Sequence, residues 1–113
     1  SVEYPEDELR RRVEALVQKL QARTGLVPPK DPMAGIRIDM AELGGGYGAA
    51  TPASRDAAAF FATHEALVLE QTYVAKTFAS LLRQVKQGSI APGAAACVLH
   101  TGGVPSLFAQ QPG

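Results

Sequence analysis

Residues 92–105 leave this chain few choices. The apolar run Ala94-Ala95-Ala96-Cys97-Val98-Leu99 stands between Pro92–Gly93 and Gly102–Gly103. A short apolar run held between breakers reads as a strand buried on both faces. The paired glycines lead to Pro105, which suits a first helical turn, and then to a further apolar segment. His100 and Thr101 therefore fall at the carboxyl end of a buried strand, just ahead of a Gly turn into a helix. In open parallel sheets flanked by helices, that edge is where ligands bind. The plainer role for the same pair, ending a strand and capping a helix, is the one this feature favours when taken alone.

The preceding segments supply a partner. Leu67-Val68-Leu69 reads as a second short buried strand, and Glu70-Gln71-Thr72-Tyr73 turns the chain. Thr72 can cap a helix whose apolar stripe is Ala75, Phe78, Ala79, Leu82 and Val85, with Gly88 ending it. Strand, helix and strand joined by short connections form a βαβ unit, with parallel strands and a right-handed crossover.

Earlier in the chain, Pro5 followed by Glu6, Asp7 and Glu8 starts a helix, because carboxylates in a first turn complement the helix dipole. Leu9, Val13, Leu16, Val17 and Leu20 form its stripe, and Gly25 ends it. Leu26 to Asp31, with Pro28 and Pro29, is a connector. Ile36, Ile38 and Met40 alternate with Arg37 and Asp39, as in a half-buried strand. Gly44, Gly45, Gly46 and Gly48 surround Tyr47 in a turn that matches neither the P-loop nor the dinucleotide fingerprint. Thr51 and Pro52 open another helix, with Ala53, Ala57, Phe60, Phe61 and His64 on its apolar side.

The expected class is α/β, a partial sheet of two or three mostly parallel strands with four helices. Parallel strands need helices on both faces, and a sheet this thin would leave apolar surface open. The chain also starts Ser1-Val2-Glu3-Tyr4, with no initiator Met. Both features lead us to expect residues 1–113 to be a single α/β segment of a longer protein.

Charge narrows the function. With a formal net charge of +0 and a pI of about 6.7, the chain offers no basic stripe for nucleic acid. Its one basic cluster, Arg10-Arg11-Arg12, follows Glu6-Asp7-Glu8 and reads as a solvated helix face. No signal-peptide pattern or membrane-length apolar stretch is legible, so the expectation is a cytoplasmic protein without a membrane partner. Cys97 is the single cysteine and reads as a small core residue. His64 and His100 are the only histidines and lack metal-ligand spacing, so no metal is expected.

Three segments, taken in order, carry a family resemblance: Gly45-Gly46-Tyr47-Gly48, Leu69-Glu70-Gln71-Thr72-Tyr73-Val74-Ala75-Lys76, and Leu99-His100-Thr101-Gly102-Gly103-Val104-Pro105-Ser106-Leu107-Phe108-Ala109. Together they resemble the C-terminal third of the D-cysteine desulfhydrase and aminocyclopropane-carboxylate deaminase family. The likeness is strongest in the last segment and weakest around Tyr73. It implies the C-terminal portion of a tryptophan-synthase-β-like domain, a three-layer fold that holds pyridoxal 5′-phosphate. It implies that Tyr47 and Tyr73 are catalytic tyrosines facing the substrate. Thr101, with Gly102 and Gly103 after it, would lie beside the pyridine nitrogen of the cofactor. It also implies a small amino-acid substrate and a homodimer for the complete enzyme.

The departures from the family matter too. Its members read Asp-Pro-Val-Tyr where this chain reads Glu70-Gln71-Thr72-Tyr73, and the position that is acidic in the deaminases is Val74 here. Valine cannot favour a protonated ring as a carboxylate would. That points to β-elimination, giving pyruvate, ammonia and a sulfur leaving group, rather than to ring-opening deamination. The family's Schiff-base lysine lies in an N-terminal region with no counterpart here, since Lys76 matches a later lysine of the family. Residues 1–113 alone are thus expected to be inactive. The competing expectation is a free-standing α/β binding or interaction module without catalysis.

Overall fold

The structure, a computed structural model, describes residues 4–27 and 30–109. Pro28 and Pro29 of the expected connector lie outside the described residues. The chain divides into two compact units, Ser1–Met40 and Ala41–Gly113.

The first unit holds helix α1, Glu6–Thr24. Its start follows the sequence: Glu6, Asp7 and Glu8 occupy the first turn, and Pro5 sits at the cap position just before it. Gly25 closes it with φ +67, where its N–H donates to the Gln21 carbonyl. A left-handed residue at this point is easiest for glycine. Glu8 accepts from Arg11 and Arg12 at 2.8 Å each, so these arginines do form a solvated, self-neutralised face. Hydrogen bonds from both guanidiniums hold the Glu8 carboxyl below the usual glutamate range. The stripe from Leu9 to Leu20 is half-buried to exposed, and no residue of α1 is buried.

The second unit is built on two helices, α2 over Pro52–Glu65 and α3 over Val74–Lys86. Thr51 caps α2 in a reciprocal box: its side chain accepts from the Ser54 N–H at 3.0 Å, and Ser54 Oγ accepts from the Thr51 N–H at 2.9 Å. The helices pack through small residues, Ala57 against Ala75 and Ala79, with Val74, Phe78 and Leu69 completing the core. Phe61 meets Phe78 edge to face at 4.6 Å between centroids. Such small faces let two helices approach closely, and the aromatic pair, with Phe78 buried and Phe61 half-buried, adds an edge-to-face contact. Phe60 and His64 instead stack on each other outside this core, at 4.3 Å. A four-residue helix, α4, spans Ser106–Ala109.

The expected α/β sheet is not formed, and this corrects the sequence reading. Among the described residues there is no β-strand, and the fold is all-helical. Residues 36–40, 67–69 and 94–99 lack the inter-strand hydrogen bonds of a ladder. The alternation read in the first of these is real, with Ile36, Ile38 and Met40 half-buried and Arg37 and Asp39 exposed. It marks a face without a paired strand. In the second unit, only Leu69 and Val98 of the two expected strands reach the core. Leu99 is 78% exposed, and Cys97 is exposed too, against its expected place in the core. Three alanines in a row have low strand propensity and offer little apolar surface to fix a register.

Candidate functional site

The start of α3 gathers the three segments singled out in the sequence. Thr72 does not cap this helix as expected. Tyr73 occupies the cap position with no capping bond from its side chain, and the carboxylate of Glu70 takes the cap's place. Glu70 Oε2 accepts from the Thr72 N–H at 2.6 Å, while Oε1 accepts from Tyr73 at 2.8 Å and Val74 at 2.7 Å. The N–H donors of the cap and the first helical residue, and that of Thr72 in the turn before them, are thereby satisfied by one anion at the positive end of the dipole. Glu70 is 1% exposed. Burial pushes its carboxyl pKa up, but the three backbone donors outweigh burial and leave it below the ordinary glutamate value.

Gly103 packs on this carboxylate. A Cβ at Gly103 would run into Glu70 Cγ and come within 3.0 Å of Cδ, and the residue has φ +87. Only glycine meets both demands without displacement. The contact brings the Thr101–Gly103 strap to the start of α3. His100 clips the strap from the other side. Its Nδ1 accepts from the Gly102 N–H at 3.2 Å and its Nε2 lies 3.3 Å from the Val68 carbonyl. The first bond requires a bare Nδ1, so the neutral ring carries its proton on Nε2 and donates it to Val68. His100 therefore neither ends a strand nor caps a helix; its ring ties the strap to the Val68 carbonyl and the Gly102 N–H.

The Gly-rich turn is fastened to the same helix. Lys76, on the first turn of α3 and 6% exposed, donates from Nζ to the Leu43 carbonyl at 2.7 Å and to the Gly46 carbonyl at 3.4 Å. Tyr47 follows Gly46 directly, and its ring meets that of Tyr73 edge to face at 5.8 Å. The two phenols are 63% and 47% exposed, respectively. Both tyrosines expected at the site are therefore neighbours on one face, although they lie far apart in sequence.

A flat heteroaromatic ring requires a hydrogen-bonding group at its nitrogen and backbone that can come close to its edge. The Thr101 hydroxyl has no hydrogen-bond partner among the described residues. Gly102 faces open space where a side chain would begin. These features fit one edge of pyridoxal phosphate. Lys76 is buried against carbonyl oxygens and does not offer an amine to a substrate. A concavity of about 490 Å³ runs between α2 and α3 over Ala57, Phe60, Ala79 and Leu82. None of the five expected site residues lines it.

Sequence reasoning assigned no site role to Glu70, which it placed in a turn. The available signal was a carboxylate just ahead of a helix that lacks a side-chain cap. Lys76 was legible only as a family match. Its place beside Ala75 and Ala79, on a face that is otherwise apolar, was the sign that its ammonium had to find carbonyl partners indoors.

No family model matches the chain. Among curated proteins it is similar to a D-cysteine desulfhydrase of Yersinia pestis (strain Pestoides F), 30% identical over 106 residues that cover 94% of this chain and 31% of that protein. A D-cysteine desulfhydrase of Yersinia pseudotuberculosis serotype O:1b (strain IP 31758) matches to the same extent. One of Salmonella newport (strain SL254) is 33% identical over 67 residues, 59% of this chain and 20% of that protein. The chain spans about a third of the length of the Yersinia relatives, and its similarity points to the D-cysteine desulfhydrases.

Proposed function

We propose that this chain is part of a pyridoxal-phosphate-dependent lyase of the D-cysteine desulfhydrase type, acting on a small amino acid. The overall reaction converts D-cysteine and water to pyruvate, ammonia and hydrogen sulfide. The observation that carries this reading is the meeting of Tyr47 and Tyr73, from two separate family-like segments, at 5.8 Å on one exposed face. When bound, the cofactor supplies a sink for the electron pair left at the substrate's α-carbon. This chain's residues do the rest of what is proposed. One phenol holds or delivers a proton at its Oη as sulfur departs, and the other orients the substrate. Thr101 Oγ1 shares a hydrogen bond with the ring nitrogen and Gly102 admits the ring edge, while Gly103 holds the strap on Glu70.

Two features favour elimination over ring-opening deamination. Val74, where the deaminases carry an acid, is buried in the α2–α3 core. The nearby Glu70 carboxylate is engaged by three backbone donors and by the Thr72 side chain. Neither offers a free carboxylate to favour a protonated ring nitrogen, so a neutral ring is proposed. A homodimer of the complete enzyme belongs to the same proposal.

The test uses the protein produced from its complete reading frame and loaded with cofactor. Pyruvate release from D-cysteine is expected, with kcat lowered on the order of 10²-fold in Tyr47→Phe or Tyr73→Phe. Unchanged turnover in both variants would remove the tyrosines from the chemistry. Residues 1–113 alone are expected to release no pyruvate.

A further inference from the structure

Lys76 is a buried cation that the proposed chemistry does not use. Its stem leaves α3 in the first turn, three residues beyond Tyr73. Its ammonium ends on two carbonyls of the Gly-rich turn, Leu43 at 2.7 Å and Gly46 at 3.4 Å. The second of these belongs to the residue immediately before Tyr47. The start of α3, capped by Tyr73, therefore also carries the group that fastens the loop bearing Tyr47. A turn with glycines at 44, 45, 46 and 48 has many backbone states open to it. An ammonium held in a nearly dry setting restricts them strongly, because its charge-assisted bonds have no water to compete with.

We infer that Lys76 is a positioning residue whose ammonium clamps the Gly-rich turn onto α3 and so sets Tyr47 against Tyr73. The ring contact then follows from the clamp and not from attraction between two exposed phenols. The attraction of an exposed aromatic pair is small against the backbone entropy of an unfastened glycine turn. Only the kinetic arm of the test rests on the proposed function; the spectroscopic arm stands without it.

The test is made on the complete protein, with tyrosine-selective labelling, and compares the unaltered chain with Lys76→Met. The methionine keeps the apolar stem and removes the ammonium. The expected result is a folded protein, by far-UV circular dichroism, in which the cross-peaks between the Tyr47 and Tyr73 rings are lost. A folded Lys76→Met that keeps those cross-peaks overturns the inference. If Lys76→Met does not fold, Lys76→Arg decides: the cross-peaks should survive with a cation restored, and a folded arginine variant with separated rings overturns it.

The kinetic arm is a double-mutant cycle. Lys76→Met and Tyr47→Phe should each lower kcat on the order of 10²-fold, and the double variant should fall little further, because one loss contains the other. Losses that multiply would mean that Lys76 acts independently of Tyr47, against the inference. A protein without D-cysteine turnover would refute the functional reading alone, and the ring cross-peaks would still decide the role of Lys76.

Discussion

Replacing Glu70 by glutamine tests the central anchor of the second unit with little change in shape. The carboxylate accepts three backbone N–H bonds of 2.6–2.8 Å in a site that is 1% exposed. The amide keeps one oxygen that can still accept, but it turns an NH2 group toward donors. At least one N–H of the first turn is then left facing a donor in a dry place. A buried backbone donor without a partner costs about 1–3 kcal/mol, and loss of a charge at the helix N-terminus adds about 0.3–1 kcal/mol. Glu70→Gln should therefore destabilise by about 1–4 kcal/mol, a large share of the 5–15 kcal/mol typical of a domain.

The pH dependence gives a second signature. The Glu70 carboxyl is held below the ordinary glutamate value of 4.5. A depressed folded-state pKa means that the unfolded chain takes up the proton first as acid is added. The stability contributed by Glu70 is complete above the unfolded value and is lost as pH falls through the folded one. Urea unfolding followed by circular dichroism, at a series of pH values from 7 down past 4.5, should show a loss in the unaltered protein that is reduced in Glu70→Gln. A variant within about 0.5 kcal/mol of the parent, with the same slope in acid, would refute the capping argument.

Other expectations follow from the same geometry. Gly103→Ala puts a methyl into Glu70 at φ +87 and should destabilise by about 2 kcal/mol or more, read as a lower unfolding midpoint in urea. Ser54→Ala removes the acceptor of the Thr51 N–H and the bond of Oγ to Gln71 Oε1 at 2.7 Å, while Thr51 Oγ1 keeps its bond from the N–H of residue 54, for an expected loss of about 1–2 kcal/mol by the same assay. Phe78→Ala opens the α2–α3 core beside Phe61 and should cost about 3–5 kcal/mol. Near-UV circular dichroism should flatten as the aromatic pair is lost.

The helices were legible because their signals are local. Acidic residues after Pro5 and the glycine at 25 bound α1, and Thr51-Pro52 opens α2, each through groups within a few residues of the helix end. The stripe Ala75, Phe78, Ala79 is the buried face of α3, while Val85 at its far end is exposed. The strands were not legible, because a strand is defined by its neighbour. Apolar runs at 67–69 and 94–99 report burial preference and say nothing of pairing. For the site, the resemblance singled out the tyrosines and the glycine strap, but the side chains that assemble them are charged residues whose partners are distant or on the backbone. Lys76 reaches carbonyls 30 and 33 residues back in the chain, and no local pattern encodes that reach.

The two buried charges divide the work according to what each end of a backbone offers. A helix start presents N–H donors, so the residue beneath it must be an acceptor, and Glu70 is one. A turn rich in glycine presents carbonyls, so its fastener must be a donor, and Lys76 is one. Both act at the first turn of α3, and Tyr73 sits between them with its own N–H held by Glu70. Loss of the carboxylate should thus loosen the segment that orients Tyr73 as well as lower stability. A change in the α2–α3 groove, such as Phe60→Leu, touches neither fastening. If the site is held as described, Glu70→Gln should weaken the Tyr47–Tyr73 ring contact under conditions where the protein is still fully folded, and Phe60→Leu should leave that contact unchanged even if it lowers the unfolding midpoint. Equal retention of the contact in both variants would mean that the order at the site derives from general stability and not from these two charges.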